Sequence, residues 1–173
     1  LNGQTEIDRN LYTREKEMVI DAKKLLTHGK LIEIRPHTRF VHFPKHRHNY
    51  VEVIYMCAGL TTHMINGTEV VLREGDLLFL SQNAVQEILP AGEQDIAVNF
   101  IIQPEFFDTA FNMIDGDNSL LRNFLIGCLC NDDRYASYLL FRVADILPVQ
   151  NLVENMIWTI MNNQPNKRSI NQT

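Results

Sequence analysis

Three side chains able to hold a metal or anchor a polar ligand lie close together: His46, His48 and Glu52. On an extended segment alternate side chains share a face. One strand through this stretch would therefore present both imidazoles, the Glu52 carboxylate, Tyr50, Ile54 and Met56 together. Imidazole with carboxylate suits a divalent transition metal, and equally suits a polar anchor in a small-molecule site. Apolar and aromatic partners follow at positions that reach across a barrel: Phe79 and Gln86, with Phe40 or His42 from the preceding segment. Small barrels can hold one small ligand. The expected site is therefore His46, His48, Tyr50, Glu52, Ile54, Met56, Phe79 and Gln86, entered from the end where His46 sits. His28, His37, His42 and His63 have no motif around them and are expected to be structural or on the surface.

The elements that must position these residues are short strands punctuated by turn chemistry. They are expected at 31–35, 38–43, 50–57, 60–65, 68–72, 77–80, 85–89 and 95–102. Pro44-Lys45, Ala58-Gly59, Asn66-Gly67, Gly75-Asp76 and Pro90-Ala91-Gly92 separate them. Asn-Gly is a strong hairpin signal. Eight short strands at this spacing predict a sandwich or barrel. Before them, Thr13 caps an expected helix to His28 with Met18, Ala22, Leu25 and Leu26 as its stripe, stopped by Gly29. After Pro104 the period becomes helical, over 106–114, 118–130 and 149–163, with one further strand at 137–143. The expected division is an N-terminal arm and helix over 1–29, a barrel over 30–103, and a helical segment with one added strand over 104–163. A polar linker-like stretch follows over 164–173.

Composition narrows the classes of function. A chain of 173 residues with 45% hydrophobic residues can build one domain with a proper core. Its net charge of −5, with Lys and Arg scattered, lacks the basic footprint of a module that grips nucleic acid. No apolar run approaches a membrane span, and the first residues have no basic and apolar leader pattern, so a cytoplasmic location is expected. Three cysteines do not suggest a disulfide framework, and Cys57, Cys128 and Cys130 are expected as small buried apolar residues. No nucleophile elbow and no glycine-rich phosphate loop are present.

The succession from His46 to Pro90 resembles the cupin superfamily. Its first motif is Gly, five residues, His-x-His, three or four residues, Glu, six residues, Gly. His46, His48, Glu52 and Gly59 stand at that spacing, with Phe40 in place of the leading Gly. In the second motif Gly75 matches, whereas Ser81, Asn83, Gln86 and Pro90 replace Pro, Gly, His and Asn. This pattern resembles the effector-binding half of AraC-type transcription regulators, which keep the cupin barrel and often lose the complete metal set. The likeness covers roughly residues 30–163. It implies a mainly β fold with C-terminal helices: a double-stranded β-helix, or jelly-roll barrel, with an N-terminal helix and a helical dimerisation subdomain. It also implies that Gln86 occupies the superfamily's fourth ligand position. An amide oxygen is a poorer donor than imidazole, so His46, His48, Glu52 and Gln86 are weak metal candidates, and no cofactor is expected.

The resemblance implies a ligand-sensing, dimerising regulatory domain without enzymatic activity. It would bind a small-molecule effector and act on DNA only through a helix-turn-helix domain that this chain lacks. The alternative is a stand-alone metal-dependent cupin enzyme, an isomerase or dioxygenase, using His46, His48 and Glu52. A binding module with no regulatory output is a third reading. The helix over 149–163 carries a wide apolar stripe with Glu154 as its one charge. Such a face can serve its own barrel and a partner together, so a homodimer is expected, with this helix, through Met156, Ile157 and Ile160, or the helix over 118–130 at the contact.

Overall fold

The computed structural model describes residues 19–21, 32–106, 119–134 and 136–162. Among the described residues ten strands form two five-stranded sheets. The strands are β1 (Val19–Ile20), β2 (Ile32–Pro36), β3 (Phe43–His48), β4 (Val51–Ala58), β5 (Leu60–Ile65), β6 (Thr68–Arg73), β7 (Asp76–Leu80), β8 (Gln86–Ile88), β9 (Ile96–Ile102) and β10 (Tyr138–Arg142). One sheet runs β1-β3-β8-β5-β6 and the other β10-β7-β4-β9-β2. Every pairing is antiparallel except β1 with β3. Among the described residues two helices come after β9, α1 (Ser119–Cys130) and α2 (Leu147–Asn162), with a short 3-10 turn at Pro104–Phe106. The fold is the mainly β, cupin-like jelly roll expected from the sequence.

Turn chemistry builds this order. Asn66 and Gly67 both have positive φ, 50° and 83°. A two-residue hairpin requires this for its twist to match that of its strands, and it sets Ile65 opposite Thr68. Phe40 also has a positive φ, 71°. It stands where the cupin motif has glycine, so the turn keeps its left-handed backbone despite a bulky side chain. α1 ends at Asn131, φ 50°, with the Asp132 N–H donating to the Gly127 carbonyl at 2.9 Å. That bond pattern is a Schellman turn.

The second sheet is buried on both faces, so β4 is almost continuously apolar. Ile54 and Met56 point between the sheets, packed with Ile65, Leu72, Leu78, Leu80 and Ala97. Val51, Val53 and Tyr55 point the other way, onto Phe124, Leu125 and Cys128 of α1 and Val153 of α2. Period-two alternation thus feeds two cores from one strand.

Several elements differ from expectation. Residues 38–42 form no strand; β3 instead starts at Phe43 and carries Pro44-Lys45 inside it, with an irregular register between Phe43 and His46 against β8. A proline is tolerated at such a bulge because the ladder bond it cannot donate is already interrupted. The helix expected over 13–28 does not run through 19–20. Those two residues are β-branched, pair with Arg47 and His48, and bury Ile20. The rest of that helix, the arm before it, most of the helix expected over 106–114 and the linker-like tail lie outside the described residues. Cys130 is exposed, unlike buried Cys128.

Candidate functional site

The two sheets part at one end of the sandwich around a cavity of about 150 Å³. β3 supplies Phe43, His46 and His48, the following turn Tyr50, β4 Glu52, β8 Ile88, and β9 Asn99 and Ile101. β2 and the loop after it add Arg35, Pro36, His37 and Thr38, and β1 adds Ile20. The mixture of apolar wall and converging polar groups is that of a small-molecule site.

His46, His48 and Glu52 do meet, but not along one strand. β3 stops at His48 and β4 starts at Val51 in the opposite sheet. The imidazoles therefore face the carboxylate across the sandwich, with His48 Nε2 at 3.7 Å from Glu52 Oε1. An aromatic ladder steadies the β3 side. Ring centroids lie 4.3 Å apart for Phe43–His46, 5.1 Å for His46–His48 and 4.7 Å for His48–Tyr50.

Behind the cavity a buried hydrogen-bond chain fixes the tautomers. The Thr61 hydroxyl donates to His63 Nε2 at 2.9 Å, so His63 carries its proton on Nδ1 and donates it to Gln86 Oε1 at 2.9 Å. That orients the Gln86 amide nitrogen to donate to Glu52 Oε1 at 3.1 Å and to point at His48 Nε2 at 3.5 Å. His48 then carries its proton on Nδ1, a buried atom with no partner. On the opposite wall His37 Nδ1 donates to Asn99 Oδ1 at 3.1 Å, which leaves the lone pair of buried His37 Nε2 unpartnered. His46 Nδ1 donates to the Pro44 carbonyl at 2.7 Å.

Burial shapes the charge state of the site, because it disfavours ions. It raises the Glu52 carboxyl to about 7 against the opposing Gln86 bond. It holds His46 at about 4 and His63 at about 3, and holds His37 below the usual imidazole range. His48 is held well below that range, first by burial and then by its neighbour His46. The cavity is thus lined by neutral imidazoles and a carboxyl close to neutrality.

The metal that the cupin resemblance implies does not fit this donor set. Gln86 turns its N–H, not its oxygen, toward Glu52 and His48. Among the described residues no group of three or more His, Cys, Asp or Glu side chains could hold a metal ion.

The other expected site residues divide by strand parity. Ile54 and Met56 face inward but are fully buried in the packed core and do not line the cavity. Gln86 is fully buried and acts one layer behind the wall. Phe79 requires correction. It stands opposite Val53 on the helix side of its sheet, edge-on to Phe124 at 6.1 Å and to Phe141 at 5.5 Å. Leu78 and Leu80 take the inward positions instead. A shift of one residue moves a side chain to the other face. His37, Asn99, Arg35 and Thr38 were not among the expected lining residues. The sequence carried one signal for them: Asn99 is the lone polar residue in the apolar strand Ile96–Ile102.

On α2, Ile157 packs against the core beneath the helix. The side chains of Met156 and Ile160 lie outside the described residues. The exposed apolar surface of this helix carries Leu147, Trp158 and Met161, 62%, 65% and 37% exposed. No helix among the described residues is long and apolar enough to cross a membrane.

Comparison with solved structures finds partial likenesses. An apo variant of ToxT from Vibrio cholerae is 14% identical over 72% of this chain and 46% of its own, with a TM-score of 0.48. The EutQ protein of Clostridium difficile is 17% identical over 42% of this chain and 55% of its own, TM-score 0.35. A cupin protein from Bacteroides fragilis is 21% identical over 42% and 64%, TM-score 0.34. The chain spans less than half the length of the ToxT chain it matches. Comparison with curated proteins gives no match. The family model of the AraC-like ligand binding domain matches residues 29–133, which include the strands that frame the cavity from β2 to β9. The chain therefore belongs to the AraC-like ligand-binding domain family.

Proposed function

We propose that this domain senses a small-molecule effector in the cavity at the open end of its barrel, and passes occupancy to a DNA-binding domain carried elsewhere in a transcription regulator. The observation that carries the reading is the pair of buried, unpartnered imidazole nitrogens, on His37 and His48, in a cavity of a ligand-binding family member. Native proteins rarely leave such atoms unsatisfied, because each costs about 1–3 kcal/mol. The function is binding rather than catalysis, without a cofactor, in the cytoplasm.

The output is a shift between two arrangements of the domain, which the effector must bind with different affinity. β1 is the element best placed to report it. Its Ile20 lines the cavity, and the Asn49 N–H donates to the Ile20 carbonyl at 3.0 Å. The domain works as a homodimer through α2. Leu147, Trp158 and Met161 lie on one side of that helix, and an apolar face of this kind is a candidate contact.

A thermal-shift screen of small metabolites, followed by calorimetry on wild type, Glu52→Gln and Tyr50→Leu, tests the sensing role. A hit weakened at least tenfold by either substitution supports it. Hits that bind both variants as tightly as wild type would place binding outside the cavity. Sedimentation of wild type and Trp158→Glu tests the assembly. A monomeric wild type at micromolar concentration sinks the dimer, and a dimeric Trp158→Glu moves the contact off this face.

A further inference from the structure

The size and hydrogen-bonding pattern of the cavity define the class of molecule it takes; this step rests on the sensing role proposed above. About 150 Å³ is the size of an engineered cavity that accommodates benzene, and ligand sites for larger molecules run from about 300 Å³ upward. The walls limit its extension into the barrel. Ile54 and Met56 close the barrel beneath Glu52 and are fully buried, and Gln86 and His63 fill the layer behind His48.

Apart from the His46 Nε2 lone pair and the second Glu52 oxygen, two imidazole nitrogens of the lining residues are buried without a partner, and they are of opposite kinds. His37 Nε2 is an acceptor, because its ring proton is donated to Asn99. His48 Nδ1–H is a donor, because the Gln86 amide points at the other ring nitrogen. Neither a purely apolar molecule nor one with acceptors alone satisfies both. We propose that the cavity binds a small uncharged molecule of about six to ten non-hydrogen atoms, carrying a hydrogen-bond donor for His37 and an acceptor for His48. Carboxamides and hydroxy-carbonyl compounds are the type.

Charge is disfavoured for a separate reason. A buried ion needs a paired counter-ion. Glu52 is buried and already engaged by the Gln86 amide. Arg35 lines the cavity from the exposed side, where solvent screens its charge. An anion would sit beside the Glu52 carboxyl and the His37 lone pair, and a cation would face the His48 N–H.

Benzamide, benzoate and benzamidinium share one shape and differ in charge, so they separate the alternatives. Thermal melts of the full chain with each at about 10 mM should show benzamide alone raising the melting temperature, by about 3–5 °C at tenfold excess over its dissociation constant. The shift should vanish in His37→Leu and in His48→Phe, each checked to melt cooperatively without ligand. Two substitutions are used because either could fail to fold. A shift with benzoate or benzamidinium that equals that of benzamide and depends on His37 would overturn the uncharged class while keeping the cavity as a binding site. Stoichiometric binding of palmitoleate lost in Tyr50→Trp would overturn the size limit and also keep the cavity. No shift with any of the four molecules would overturn the inference, leaving the sensing role to stand or fall on the metabolite screen.

Discussion

Replacing the Glu52 carboxylate by its amide should stabilise this domain near neutral pH. Glu52 is buried, and its carboxyl is raised from 4.5 to about 7. A group whose folded value lies above its unfolded one contributes its full stability below the unfolded value. It loses that contribution as pH rises through the folded value. The gap is worth about 3 kcal/mol. Above pH 7 the wild type therefore carries a destabilising charge that Glu52→Gln lacks. The variant's amide oxygen can still accept the Gln86 bond. Glu52→Gln should be more stable than wild type by up to about 3 kcal/mol at about pH 7.5, with the two converging below about pH 4.5. The histidines act in the opposite sense. His46 and His63 are lowered from 6.5 to about 4 and about 3, so their neutral forms contribute fully above 6.5 and are lost as pH falls. Those gaps are worth about 3 and about 5 kcal/mol, and His37 and His48 add losses of the same sign. In wild type, Glu52 offsets part of this loss between 7 and 4.5; in Glu52→Gln nothing does, so the variant's acid loss is steeper. Urea unfolding followed by circular dichroism at half-unit pH steps measures both slopes. Trp158 is too exposed to report core unfolding well. A Glu52→Gln protein no more stable than wild type at about pH 7.5 would show that Glu52 is solvated or paired when folded, and would refute the account of a desolvated site.

Three further outcomes are expected. Gly59→Ala should cost about 2–4 kcal/mol by urea melts, from left-handed backbone strain plus overlap, because φ is +72° and a Cβ would fall 2.3 Å from Asp95 Oδ1 and 2.7 Å from the Gln94 carbonyl. Gly67→Ala, at φ +83° with nothing within 4 Å, should cost only the backbone strain, about 1–2 kcal/mol; equal costs at the two sites would undo the steric argument. Phe124→Ala should cost about 3–5 kcal/mol, since this fully buried ring joins α1 to the second sheet beside Phe79; a loss under about 1 kcal/mol would mean the helix is not anchored there. Treatment with a strong chelator should leave the melting temperature within about a degree of untreated protein, because the Gln86 N–H, not its oxygen, faces Glu52; a large drop would restore a structural metal at His46, His48 and Glu52.

The strands from 50 to 102 were legible because each is bounded by turn residues whose backbone demands are specific. Asn66-Gly67 fixed one hairpin, and the strand Leu60–Ile65 lies where the alternation put it. The site was legible in composition but not in construction. Period two gives the parity of a side chain along one strand, and the chain here breaks that premise between His48 and Val51. His46, His48 and Glu52 share a site because two sheets face each other, not because they share a strand. The same limit misplaced Phe79, where an apolar residue stands on either face of a strand buried on both. Aromatic character cannot say which core it joins; only the pairing of Val53 with Phe79 can. His37 and the residues of β9 are separated by about sixty positions and meet through the β2–β9 ladder and its continuation, where the His37 N–H donates to the Ala97 carbonyl. Contacts of this kind leave no periodic trace. They leave a cost instead: a polar side chain in an apolar strand needs a partner from another strand. Asn99, between Val98 and Phe100, faces His37 for that reason, and the two together form the wall that neither segment alone would have suggested.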